Sequence, residues 1–211
     1  MIPTVAPYLL PRWLPRVRAA FPRLQLFLHE DRTARLVAAL ADGSLDLLLL
    51  ALPLRRPDLE ELAIFREPFV LAIPRRHALA HGRGPVREAE LARESVLLLE
   101  DGHCLRDQAL AVCAQAGARE AEGVRAASLT TLVQMVAGGL GVTLLPASAL
   151  AAEAKGREVV TRPFRKPVPM RTIGPAWRRS SPRAEEYRRL GGLLAARVGR
   201  TPRLSPARDA A

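Results

Sequence analysis

Two cysteines, Cys104 and Cys113, are the only thiols in 211 residues. Cys104 stands in the run Asp101-Gly102-His103-Cys104-Leu105-Arg106-Asp107-Gln108. A thiolate, not a thiol, is the reactive species, and neighbouring positive charge or a helix N-terminus favours it. Arg106 carries a permanent charge two residues on, and His103 can add a donor or a second charge. Cys113 is of another kind. It falls on an apolar stripe with Ala109 and Ala116, as a small core residue would.

The elements that position these thiols can be read from the pattern around them. Ser95 to Glu100 (SVLLLE) is short and apolar and predicts a strand. Asp101-Gly102 is a turn signal. Leu105, Ala109, Val112 and Ala116 recur at helical spacing, and Gly117 is a C-terminal stop. Cys104 therefore sits at a strand-to-helix junction, in the first turn of a helix. Nine steps of about 100° put the cysteines on opposite helix faces, roughly 13.5 Å apart along the axis. A disulfide needs Cα atoms within about 7 Å. With the helix intact these two cannot bond; if they bond, the helix must come apart.

The run Gly102 to Gln108 with a second Cys nine residues after the first resembles the regulatory domains of the peroxide-sensing LysR-type transcription regulators. Ile2-Pro3-Thr4-Val5, Pro7-Tyr8-Leu9-Leu10-Pro11, Leu28-His29-Glu30, Leu98 to Gln108 and Arg171-Thr172-Ile173-Gly174 fit the same family, so the resemblance covers nearly the whole chain. It implies two Rossmann-like α/β lobes like those of periplasmic binding proteins, lobe I from residues 1–68 and 175–211 and lobe II from 69–174. It implies that Cys104 is the peroxidatic cysteine and Cys113 the resolving one, joined in a reversible disulfide. It places Thr4, Thr33, His103, Arg106 and Arg171 around the reactive sulfur as peroxide-holding and thiolate-stabilising groups. Ser128 matches the place where other LysR-type domains bind small effectors. The implied partners are hydrogen peroxide, a second copy in a dimer (a tetramer in the full-length protein), a cytosolic reductant such as glutaredoxin or thioredoxin, and DNA through a helix-turn-helix domain that this chain does not contain.

Taken singly, each of Thr4, Thr33 and Ser128 at a strand-to-helix junction is most simply a helix N-cap. The remaining chain reads as two runs of strand–helix units. The first has a strand at 2–6, a helix at Tyr8–Phe21, a strand at Leu24–His29, a helix at Arg32–Leu40 and a strand at Leu45–Ala51. The second follows strands at Leu62–Phe65 and Phe69–Pro74 and a short helix at Val86–Ala92. It holds the Cys104 helix, a strand at Gly123–Ala127, a helix at Ser128–Gly138 and strands at Gly141–Leu145, Val159–Phe164 and Arg171–Trp177. A terminal helix at Pro182–Val198 presents Tyr187, Leu190, Leu194 and Val198 on one face. Alternating strands and helices predict a parallel sheet covered on both sides.

Composition bounds the function. Hydrophobic content of 49% and charged content of 25% are ordinary for a globular chain. Two cysteines are too few for a secreted disulfide framework. The start lacks the charged segment of a signal peptide, and the most apolar run, Leu45 to Leu54, contains Asp46 and Pro53 and falls short of a membrane span. A cytoplasmic location and no membrane contact are expected. Residues 156–211 hold 14 Lys and Arg against 4 Asp and Glu, so +10 of the net +11 lies there. Much of it falls in a helix and the tail GRTPRLSPARDAA, with little aromatic interleaving for base stacking, so direct nucleic-acid binding is not expected. His29 and His77 lack metal-ligand spacing, no cofactor fingerprint is present, and Gly138-Gly139-Leu140-Gly141 lies in the wrong order for a phosphate cradle. No metal, cofactor or enzymatic turnover is expected; a thiol peroxidase would carry its own signature, which is absent. The alternative function is an effector-binding LysR-type domain without redox switching. Apolar faces at Thr33–Leu40 and Val133–Met135 are the candidate dimer surfaces.

Overall fold

The apolar run after Asp46 becomes strand β1 (Leu48–Leu52), buried along its whole length. It anchors the first of two units in the computed structural model, which describes residues 1–196 with Ser205 and Pro206. The units are Met1–Glu67 with Arg171–Ala211, and Pro68–Met170. The sequence places these crossings at 68/69 and 174/175.

In the first unit, helix α1 (Ala6–Ala20) buries Leu9, Trp13 and Val17 at four-residue spacing. Pro11 and Pro15 lie inside it on the exposed face. The strand expected at 2–6 is not formed. Val5 and Ala6 both donate backbone hydrogen bonds to the Ile2 carbonyl, at 3.0 and 3.1 Å, which turns the chain straight into the helix. Helix α2 (Thr33–Ala41) buries Leu36 and Leu40. Strand β2 (Leu59–Glu61) and β1 both pair antiparallel with β8 (Met170–Arg178). Leu62 and Ile64, expected in a strand of their own, instead donate to the Pro175 and Ile173 carbonyls. Helix α6 (Ala184–Ala195) closes the unit with Tyr187 and Leu194 buried and the Tyr187 ring 5.8 Å from Trp177. Val198, assigned to this helix face, and most of the basic tail lie outside the described residues.

Residues 24–29 alternate like a strand yet form none. A strand needs a laddered neighbour, and the backbone bonds nearby are Met1 N to the His29 carbonyl and Asp31 N to the Met1 carbonyl. Leu24, Leu26 and Leu28 line, with Trp13, Leu14 and Leu48, an apolar cleft of about 940 Å³.

The second unit receives β3 (Phe65–Pro74) from Pro68 onward; its Phe69–Pro74 portion pairs antiparallel with β6 (Thr143–Pro146) and β7 (Val159–Pro163). Its parallel pair is β4 (Ser95–Leu99) with β5 (Arg119–Ala126), joined by helix α3 (Cys104–Ala116). The expected parallel sheet is thus only partly formed: the strands that carry the chain between units run antiparallel to their neighbours. Helix α4 (Leu129–Ala137) buries Leu129, Leu132, Val133 and Val136. A 3-10 turn at Glu88–Arg93 replaces the helix expected at 86–92, and a short α5 (Leu150–Glu153) follows β6. Strand β9 (Ser205–Pro206) pairs with Phe65 and Arg66. Among the described residues no helix is long and apolar enough to cross a membrane.

Gly174 of the Arg171–Gly174 motif has a packing role. A Cβ there would meet the Leu62 carbonyl oxygen and come within 2.7 Å of Leu52 Cδ1. Backbone cannot yield as a flexible side chain can, so Gly174→Ala should destabilise the protein by about 1–3 kcal/mol. Gly192, inside α6, has nothing within 4 Å of its would-be Cβ. Gly192→Ala should gain about 0.5–1 kcal/mol from helix propensity. Urea midpoints of the two variants check this pair of opposite signs.

Candidate functional site

Strand β4 delivers the chain through Asp101 and Gly102, at φ +89°, into α3, whose first residue is Cys104. His103 is the N-cap in extended geometry, and its side chain does not cap the helix. Gly117 ends α3 in the left-handed conformation at φ +68°. Leu105, Ala109 and Val112 face the core, as their spacing predicts. Both cysteines lie on this one unbroken helix, and no disulfide joins them. Cys104 is partly exposed and Cys113 is 3% exposed. Desolvation, aided by the nearby Glu120 carboxylate, pushes the Cys113 thiol up to about 11. Cys113 is thus held protonated and inert while it stays in the core.

Arg106 does something the sequence did not reveal. Its side chain is 8% exposed. NH1 and NH2 donate to the two Glu120 carboxylate oxygens at 2.7 and 3.0 Å, Nε donates to Asp101 Oδ1 at 2.8 Å, and NH1 reaches the Leu99 carbonyl at 3.4 Å. Arg125 bridges the same two carboxylates from the other side, to Asp101 Oδ2 at 2.8 Å and Glu120 Oε1 at 3.3 Å. The Arg106 hydrogen bonds hold the Glu120 carboxyl below the usual carboxylate range. The charge that sequence reasoning assigned to the sulfur is therefore shared with two carboxylates. Asp101, in the turn signal, was visible in the sequence; Glu120 and Arg125, on a polar strand, carried no such signal.

Thr4, Thr33 and Arg171 belong to the first unit. Thr4 and Arg171 come together although 167 residues apart: Arg171 NH1 donates to Thr4 Oγ1 at 3.0 Å and NH2 to the Thr4 carbonyl at 2.8 Å. Glu67 completes the group, accepting from Arg171 Nε at 2.8 Å, with both charged side chains fully buried. Glu67 was missed, although its inward alternation between Phe65 and Phe69 is a legible signal. The capping expectation holds for Ser128 alone, whose hydroxyl oxygen accepts from Thr131 N at 3.1 Å. Thr4 precedes the α1 cap position, which is Val5, and Thr33 follows the α2 cap position, which is Arg32. Thr33 Oγ1 is shielded from solvent and has no hydrogen-bond partner among the described residues. Among the described residues no His, Cys, Asp and Glu cluster could hold a metal ion.

A strand-to-helix thiol and a buried second thiol on the same helix, in a chain of two α/β units, define a class. Residues 1–199 match the LysR substrate binding domain, and the chain belongs to that family. It is 48% identical over 198 residues to the hydrogen peroxide-inducible genes activator of Escherichia coli, covering 94% of this chain and 65% of that protein. The chain thus spans just under two thirds of the length of that curated relative. Solved structures of OxyR match as well. The reduced form aligns with a TM-score of 0.85 at 45% identity, over 93% of this chain and 92% of that one. The oxidised form aligns with a TM-score of 0.84 at 47% identity, over 94% and 93%.

The high thiol pKa of Cys113 carries a pH signature. The folded state keeps this proton to about pH 11, whereas the unfolded chain loses it near 9. Its contribution to stability is complete below pH 9 and fades as pH rises through 11. Reduced Cys113→Ala should lose less stability than the parent between these limits, measured as urea midpoints across the range.

Proposed function

We propose that this chain is the peroxide-sensing regulatory domain of a LysR-type transcription regulator. The observation that carries the reading is the placement of two cysteines outside any disulfide on α3, one partly exposed at its first residue within the Gly102–Gln108 motif and one buried nine residues on. Relatives named as peroxide-inducible activators and the likeness to OxyR in both redox forms support it.

The chemistry balances without a cofactor. The Cys104 thiolate attacks one oxygen of hydrogen peroxide, the O–O bond breaks, and hydroxide leaves and is protonated to water. The resulting sulfenic acid is attacked by the Cys113 sulfur, the S–O bond breaks, a second water leaves, and the disulfide remains. A cytosolic dithiol of the glutaredoxin or thioredoxin type returns both thiols and is itself oxidised. The domain acts as a switch in the cytoplasm and not as a turnover enzyme. The assignment of His103 and Arg106 to the thiolate, of Thr4, Thr33 and Arg171 to peroxide handling and of Ser128 to an effector rests on the family resemblance. The output is a changed arrangement of subunits, dimeric here and tetrameric in the full-length protein, that repositions DNA-binding domains outside this chain. The pairing surface we propose takes only the exposed part of the two helix faces. Leu36, Leu40 and Val133 are core residues, which leaves Ala34, Val37 and Ala38 of α2 and Met135 of α4.

Peptide mass mapping after substoichiometric peroxide should find a Cys104–Cys113 disulfide in the parent chain. Cys104→Ser should abolish fast peroxide consumption, whereas Cys113→Ser should stop at a trappable sulfenic acid on Cys104. Peroxide consumption at the parental rate by Cys104→Ser would refute the assignment.

A further inference from the structure

Arg106 is the third residue of α3, where a cation opposes the helix dipole. Its burial there needs a compensating cause, and the ring formed with Glu120, Arg125 and Asp101 supplies it. The ring joins three elements: the first turn of α3, the turn after β4, and β5. Strand β5 is shaped for this. Val96 pairs with Glu120 and Leu98 with Arg125, so β5 bulges between them, with Gly123 at φ +70°. The bulge brings Glu120 and Arg125, five residues apart, onto one carboxylate–guanidinium contact.

Arg106 also lies inside the segment that a Cys104–Cys113 bond must remodel. Closing roughly 13.5 Å to within disulfide reach removes helical turns between the two sulfurs. Unwinding the first turn of α3 pulls on a guanidinium held by two carboxylates and the Leu99 carbonyl. We propose that the Arg106–Glu120–Arg125–Asp101 ring is a latch on the reduced state, which must open as the disulfide closes and so sets the thiol–disulfide equilibrium of the switch. This rests on the redox reading above. Glu120 and Arg125 are positioning residues: they hold Arg106 and the helix turn that carries it. Glu120 also raises the Cys113 thiol through its own charge, so the Arg125 variant isolates the latch from the carboxylate's field. Breaking the ring at Glu120 or Arg125 should make the disulfide easier to form and harder to reduce.

The test equilibrates the full chain, Glu120→Gln and Arg125→Ala in graded mixtures of reduced and oxidised dithiothreitol. The Cys104–Cys113 disulfide is then quantified by alkylation and mass. Glu120→Gln should shift the equilibrium toward the disulfide by about tenfold to a hundredfold, roughly 30–60 mV for a two-electron couple. Arg125→Ala, which removes the more exposed arginine of the ring, should shift it in the same direction by less and serves should Glu120→Gln fold poorly. Gly174→Ala, destabilising in the other unit, should leave the midpoint in place, which separates a latch from a general loss of stability. Equal midpoints in the parent and both ring variants would overturn the latch while leaving the redox reading intact. A midpoint that moves equally in Gly174→Ala would overturn it too. A parent chain that forms no Cys104–Cys113 disulfide would overturn the redox reading and the latch together.

Discussion

One helix keeps two thiols apart. Cys104 opens α3 and Cys113 lies two and a half turns on, across the helix axis, so the reduced fold and the disulfide exclude each other geometrically. Everything around α3 serves that separation. Leu105, Ala109, Val112 and Cys113 bury one side of the helix, Gly117 ends it in a conformation that few other residues adopt, and the Arg106 ring ties its first turn to β5. A switch needs two states of similar free energy. Domains are stable by only about 5–15 kcal/mol. The packing of one helix and one ion-pair ring is a large fraction of that margin.

The division of labour between the sulfurs follows from their surroundings. Cys104 is partly exposed at a helix start, where oxidant can reach it. Cys113 is desolvated and protonated, so it cannot react until the helix loosens. On the proposed redox reading, loosening precedes bond formation, and the core gives up the Cys113 side chain as the disulfide closes. A disulfide formed at the expense of packing is comparatively oxidising and easily reduced by dithiols. On the same reading, the place of Cys113 in the core contributes to reversibility alongside the Arg106 ring.

The helix, its ends and the contrast between the two cysteines were legible in the sequence because they depend on local pattern: a turn signal, a helical period and a glycine stop. The core of β1 was legible for the same reason, as an unbroken apolar run. What local pattern cannot carry is pairing. Residues 24–29 alternate correctly for a strand and still lack a ladder, and the sheet expected to be parallel is antiparallel wherever the chain passes between units. Arg106 was assigned to the sulfur from its nearness in sequence. Its carboxylate partners, Asp101 and Glu120, are five and fourteen residues away, the second placed by a bulge in β5. Thr4 and Arg171, 167 residues apart, meet by direct hydrogen bonds, and Arg171 also pairs with the buried Glu67, a pairing that no local pattern carries.

The central claim is that oxidation dismantles α3. Amide hydrogen exchange from Leu105 to Ala116, followed by mass spectrometry on the reduced chain and on the peroxide-treated chain, addresses it directly. The reduced helix should be protected, and the same amides should exchange much faster once the Cys104–Cys113 bond has formed. Equal protection in both states, with the disulfide confirmed by mass, would contradict the account.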